Sequence, residues 1–160
     1  MPAKVPLIST NRCTTPDPVF PLGLAFVNAA LRRAGHQTAW LDCLAEGTDM
    51  DAALATFQPD WAGISLRNID NVCIRKQETF YGDPVALCRS LRRASSFSIV
   101  LGGSGFSLFP ERLLELTGAD FGICGEGEAS LPALLAAREN NADWRAIPGL
   151  VFRNGNGVII

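Results

Sequence analysis

The sequence predicts an α/β fold built on a doubly wound parallel sheet, and three observations carry that reading. Short apolar runs alternate with amphipathic stretches along the chain, as strands joined by crossover helices do. The run Trp61–Leu66 is continuous enough in Ala, Ile and Leu to be a strand buried on both faces. The chain has 160 residues, 48% hydrophobic and 19% charged, which is the size and composition of one domain with a sizeable core.

Each element follows in order. Val5–Ser9 is the first strand, and a polar, proline-punctuated loop runs from Thr10 to Pro21. Leu22, Phe26, Ala29 and Ala30 begin a helix by their spacing of three and four, and Gly35 closes it. Gln37–Asp42 is the second strand. Asp49 caps a helix from Met50 to Phe57 that Pro59 stops. After the third strand, Arg67 to Asp83 lacks clear periodicity. Asp83-Pro84 opens a helix to about Ala94, with the proline at its first position. Ser98–Leu101 is the fourth strand, Pro110–Thr117 a helix closed near Gly118, Phe121–Cys124 the fifth strand, and Glu126 to about Glu139 the last helix. Leu150–Arg153 and Val158–Ile160 flank Asn154-Gly155-Asn156-Gly157 and predict a β-hairpin. The sum is a flavodoxin-like sheet of five parallel strands in the order 2-1-3-4-5, with a C-terminal β-hairpin.

Charge and cysteine usage exclude several classes. Net charge is −2, and the arginines are scattered, so no nucleic-acid footprint exists. No run approaches a membrane span, and the start lacks the apolar core of a secretory signal. Five cysteines stand isolated at 13, 43, 73, 88 and 124, without CxxC or CxxxCxxC spacing, which predicts free thiols in a reducing cytoplasm. His36 is the only histidine; it lies in a turn at the end of the sheet away from the expected site, which predicts a solvated turn residue. No catalytic residue and no metal ligand is singled out. The apolar ending predicts that the chain is the front part of something longer.

In such a sheet ligands bind beyond the carboxyl ends of the strands, where strand order reverses. Thr10–Pro21, Arg67–Tyr81, Gly102–Ser107 and Gly125–Glu128 converge there. Gly102-Gly103-Ser104-Gly105 is either a flexible turn or a close approach of backbone to a bulky ligand. Gly125-Glu126-Gly127-Glu128 opens the last helix, where the acids serve either as capping residues or as partners of a ribose hydroxyl. The polar run Arg67-Asn68-Ile69-Asp70-Asn71 is either a capped turn or a set of ligand contacts.

The motifs together resemble the N-terminal cobalamin-binding domain of cobalamin-dependent radical SAM enzymes. Pro21-Leu22-Gly23-Leu24, Ala34-Gly35-His36 and Leu41-Asp42 are similar to that family's opening. Gly63-Ile64-Ser65-Leu66, Leu101-Gly102-Gly103 with Phe109-Pro110-Glu111, Ala119-Asp120 with Gly125-Glu126-Gly127-Glu128, and Ile147-Pro148-Gly149-Leu150 follow in its order. The resemblance implies a corrinoid across the carboxyl ends of the strands with its nucleotide tail threaded beside the sheet. It implies binding residues Thr10, Asn11, Arg12, Ser65, Leu66, Arg67, Asn68, Gly102, Gly103, Ser104, Gly125, Glu126 and Gly127. The first loop, Thr10-Asn11-Arg12-Cys13-Thr14-Thr15, lacks the DxHxxG histidine, which implies base-off cobalamin with no protein histidine on cobalt and a readily reduced, nucleophilic cobalt. The implied partner is a C-terminal radical SAM domain of the same parent, because the family's CxxxCxxC iron–sulfur motif is absent from this sequence; the [4Fe-4S] cluster and S-adenosylmethionine of that parent are not bound by this segment. Parents of this kind are mostly methyltransferases, and some are Mg-protoporphyrin monomethyl ester cyclase-like. Residues 1–146 would form the cobalamin-binding domain and 147–160 the bridge onward. Gly103→Leu is expected to block the tail without unfolding the sheet.

Two other readings share the fold. One is a non-catalytic sensor or interaction module, whose phosphorelay-receiver version needs acids where Asn11 and Leu66 stand. A flavin-binding electron carrier fits the hydroxyl-rich first loop, but that loop lacks glycine, and Tyr81 is the only tyrosine.

Overall fold

The strands and the longer helices fall where the apolar pattern puts them. The computed structural model describes all residues except 15, 16, 46, 48, 71–77, 81, 95, 155, 156 and 160. Asn71, Cys73, Tyr81 and the Gly155-Asn156 centre of the expected hairpin turn therefore lie outside the described residues. Among those described, the order is β1 (Lys4–Ser9), α1 (Leu22–Arg33), β2 (Gln37–Asp42), α2 (Met50–Phe57), β3 (Trp61–Ser65), α3 (Gly82–Ala94) and β4 (Ser98–Gly102). Then come α4 (Ser104–Leu108), α5 (Pro110–Thr117), β5 (Phe121–Ile123), α6 (Gly127–Glu139), β6 (Leu150–Asn154) and β7 (Gly157–Ile159).

The sheet runs β2-β1-β3-β4-β5-β6-β7. Its first five strands are parallel in the expected order, and the hairpin β6–β7 continues the same sheet antiparallel. Crossovers between parallel strands are right-handed, so stepping outward from β1 to β2 and stepping back toward β5 put helices on opposite faces. One core accordingly joins Leu24 and Leu31 of α1 and Leu131, Leu134 and Leu135 of α6 to Leu7 and Val100. The other joins Leu54, Leu91, Leu113 and Leu114 of α2, α3 and α5 to Ile8, Ile64 and Leu101.

Local chemistry sets the element ends. Asp49 accepts a hydrogen bond from the Ala52 amide at 2.9 Å and caps α2, as its position predicts. Gly118 closes α5 at φ 67. Pro84 sits two residues inside α3, which begins at Gly82. The helix α4 departs from the sequence reading, which gives the segment as a glycine turn. Phe106 explains it: the ring is fully buried and occupies the space that a side chain on Gly122 would need.

The amino end of the sheet is held by polar ties and aromatic packing. Asp120 pairs with Arg92 of α3 and accepts from the Ile99 amide at 2.7 Å. Trp61 and Trp144 both pack on Phe121, at centroid distances of 5.8 and 5.2 Å. His36 lies at this end as expected but is half-buried, its Nδ1 accepting the Ala3 amide at 3.2 Å. Burial, and secondarily the chain's amino terminus, hold its pKa below 6.5.

Candidate functional site

The register of the central strands builds two rows across one face of the sheet. Ser9, Ser65 and Gly102 are aligned at the carboxyl end, and Leu7, Gly63 and Val100 are aligned one step beneath. Residues two apart share a face. Leu7 and Val100 lie in the core under α1 and α6, so both rows face those helices. Between the helices and over the rows is a cavity of about 450 Å³. Its lower wall is aliphatic, with Leu7, Leu24, Val27, Val100 and Leu131. Its upper wall is polar, with Ser9, Asn11, Ser65, Arg67, Glu126 and Glu128.

Nine of the thirteen residues singled out in the sequence line this cavity: Asn11, Ser65, Arg67, Gly102, Gly103, Ser104, Gly125, Glu126 and Gly127. The other four stand behind it. Thr10 donates its amide and its hydroxyl to the Ser65 carbonyl at 3.2 and 3.0 Å, tying the first loop to β3. Arg12 reaches away to Asp83, with Nε 3.4 Å from the carboxylate. Leu66 is buried in the opposite core. Asn68 is half-buried against Gly105, where a Cβ would lie 3.1 Å from its carbonyl carbon. With Thr10 and Arg12 engaged elsewhere, the first loop is poorly suited to cradle a flavin phosphate.

Two polar side chains stand out in the cavity wall. Asn11 is buried, and its Oδ1 accepts the Cys13 amide at 3.2 Å, which fixes the orientation of its carboxamide. Its Nδ2 has no partner, an uncompensated donor in the wall of the cavity. Glu126 holds the N-cap position of α6 yet makes no side-chain capping bond, so its carboxylate is not consumed by the helix.

Sequence reasoning misses Gly63 and Ser107. A glycine inside a buried strand is a signal of close approach, and at Gly63 in the lower wall the Leu7 side chain packs where a Cβ would stand, 2.8 Å from Leu7 Cδ2. Ser107 carries no such signal. Its hydroxyl donates to the Gly103 carbonyl at 3.1 Å and accepts the Gly125 amide at 2.9 Å, joining the two glycine loops. The expectation for Gly103 is corrected. Its φ is 99°, and a Cβ would meet the Leu66 carbonyl oxygen at 2.5 Å, so a side chain there distorts the turn itself.

Cobalamin is compatible with this geometry on three grounds. The cavity is too small for the whole cofactor but open at the carboxyl ends, as a slot for a tail beneath an outlying ring would be. Gly102 leaves space that a side chain would fill, since a Cβ there meets nothing nearer than the Ile123 carbonyl oxygen at 3.8 Å. Asn11 Nδ2 offers an unused donor to a ligand rich in carbonyl and phosphate oxygens.

Comparison with known proteins agrees. The sequence matches the B12 binding domain family over residues 9–135. Tryptophan 2-C-methyltransferase of Streptomyces laurentii is 30% identical over 159 residues, covering 96% of this chain and 26% of that protein. Hopanoid C-3 methylase of Methylococcus capsulatus is 33% identical over 159 residues, covering 91% and 29%. The radical S-adenosylmethionine methyltransferase TsrM from Kitasatospora setae, solved with cobalamin and a [4Fe-4S] cluster, superposes with a TM-score of 0.86 at 30% identity, over 99% of this chain and 28% of that one. The chain thus spans between a quarter and a third of the length of these curated relatives. On fold, site and sequence together, the chain belongs to the B12 binding domain family.

Proposed function

We propose that this chain is the cofactor-carrying part of a cobalamin-dependent radical SAM methyltransferase and holds cobalamin base-off, without histidine on cobalt. The observation that carries the reading is the slot running from a polar rim at the strand ends down to Gly63 between α1 and α6. The nucleotide tail would enter this slot, and the corrin ring would lie across its rim. The only histidine, His36, is bonded to Ala3 at the far end of the sheet, which supports a cobalt with no imidazole from this chain.

When bound, cobalamin supplies a cobalt centre able to accept and pass on a methyl group. The protein's own residues hold and orient it. Asn11 Nδ2 donates to an oxygen of the cofactor, and the Ser9 and Ser65 hydroxyls flank the tail where it enters. Arg67 stands at the rim beneath the ring, a fixed positive charge that occupies space without ligating metal. The backbone of Gly125–Gly127 meets the cofactor from the α6 side. Exposed Phe20, Leu22, Leu108 and Phe109 near the same end supply apolar surface for a following radical SAM domain, to which residues 147–160 lead and to which the iron–sulfur cluster and S-adenosylmethionine belong.

The test is to incubate the protein with hydroxocobalamin, desalt it, and record the absorption spectrum. Retained colour with a base-off spectrum is expected. Loss of all colour, with FMN retained in a parallel sample, would overturn the reading. Arg67→Ala should alter the bound spectrum more than the retention; an unaltered spectrum removes Arg67 from the surroundings of cobalt.

A further inference from the structure

The short helix α4 grips the backbone of the loop that follows β3. The Gly105 amide donates to the Leu66 carbonyl at 2.9 Å, and the Ser104 hydroxyl donates to the Arg67 carbonyl at 2.8 Å. Gly105 is buried, and a Cβ on it would stand 3.0 Å from the Arg67 carbonyl oxygen and 3.1 Å from the carbonyl carbon of Asn68. The helix is anchored in turn by Phe106, whose buried ring lies against Gly122 of β5. The path from β5 through α4 to Arg67 is therefore packed without slack. The Arg67 side chain has no such anchor. It is half-buried in the cavity wall, and its guanidinium makes no hydrogen bond or ion pair to another described residue. Its placement is inherited from the backbone at its root.

Resting on the placement of Arg67 beneath the corrin proposed above, we infer that Ser104 and Gly105 are positioning residues, through which α4 sets where the Arg67 guanidinium stands toward cobalt. A guanidinium has donors only and stays charged, so it fills space beside a metal without ligating it. Its field at the metal falls with distance, and its exclusion of water ends once it moves aside. Glycine at 105 is not demanded by the helix. Its φ lies outside the left-handed region, and alanine is the better helix former. What demands it is the Arg67 carbonyl, which would have to give by a few tenths of an ångström to admit a methyl group. Ser104 lines the cavity but spends its one hydroxyl proton on Arg67, so it serves a ligand through the arginine.

The test compares the absorption spectrum of hydroxocobalamin bound to the intact protein and to its variants, each checked for folding by circular dichroism. Gly105→Ala and Ser104→Ala should each displace the absorption maxima in the direction that Arg67→Ala does, and Ser104→Thr should restore the parent maxima. Gly105 stands outside the cavity, so in the Arg67→Ala background Gly105→Ala should add no shift. Parent maxima in a folded Gly105→Ala or Ser104→Ala, beside displaced maxima in Arg67→Ala, overturn the positioning role and leave the cofactor reading standing. A further shift in the double variant overturns it as well, because Gly105 then acts by another route. A threonine at 104 that behaves like the alanine removes the hydroxyl from the assignment. Maxima unmoved by Arg67→Ala overturn both this role and the placement of Arg67, and a parent protein that retains no colour overturns the cofactor reading with them. If Gly105→Ala fails to fold, Ser104→Ala and its threonine counterpart decide.

Discussion

Gly102 and Gly103 are adjacent and differ in what they contribute. A Cβ at Gly102 would meet nothing nearer than the Ile123 carbonyl oxygen at 3.8 Å, and it would project into the cavity beside Ser65. At Gly103 the backbone lies at φ 99 and ψ 168, a region essentially confined to glycine, which alone costs a residue with a side chain about 1–3 kcal/mol, and the collision with the Leu66 carbonyl adds to that. Gly102→Val should therefore weaken cobalamin binding at least tenfold while the thermal midpoint moves by only a few degrees. Gly103→Val should lower the midpoint much further, whether or not cofactor is present. Thermal melts and binding titrations on the two variants separate space for a ligand from a requirement of the turn. Equal losses of stability would show that both glycines serve the backbone.

Among elements, the two loops after β4 and β5 act together because Ser107 spans them. Ser107→Ala removes two hydrogen bonds of ordinary strength, a stability change of about 1–2 kcal/mol. Cofactor affinity should fall several-fold, since Gly103 and Gly125 both line the cavity. Restoration by Ser107→Thr, measured in the same titration, would tie the effect to the hydroxyl. This contact marks where the sequence stops being legible. Strands, their order and the large helices follow from apolar periodicity, which a chain displays one residue at a time. The glycine loops and Asn11 follow from position at the strand ends. The helix α4 does not, because five residues carry too little periodicity and its existence depends on Phe106 meeting Gly122 from another strand. Arg12 likewise reads as a site residue by sequence position, and only the packing of α3 shows that its charge goes to Asp83.

Over the whole molecule the two ends of the sheet have separate tasks. The carboxyl end carries the loops, hydroxyls and open cavity, and the amino end carries the ties that hold the layers together. His36 belongs to the second group, and its sign can be worked out. Burial keeps the folded imidazole neutral to lower pH than the unfolded one, whose pKa is 6.5. The unfolded chain thus binds more protons as pH falls below that value, so the stability contribution is complete above 6.5 and is lost below it. Urea midpoints measured from pH 7.5 to 5.5 should decline in the parent protein and decline less in His36→Asn. Identical slopes would assign the pH dependence to other groups.

The same division separates the indoles. Trp61 and Trp144 pack on Phe121 at the amino end of the sheet, whereas Trp40, on β2, stacks at 5.8 Å on Phe20, a residue of the cavity wall. The protein therefore carries two fluorescence reporters with different subjects. Emission that changes at low urea, before the sheet opens, should come from Trp40 and vanish in Trp40→Phe. The cooperative change at higher urea belongs to the other pair, so loosening of the site's mouth can be followed apart from unfolding without attaching a dye.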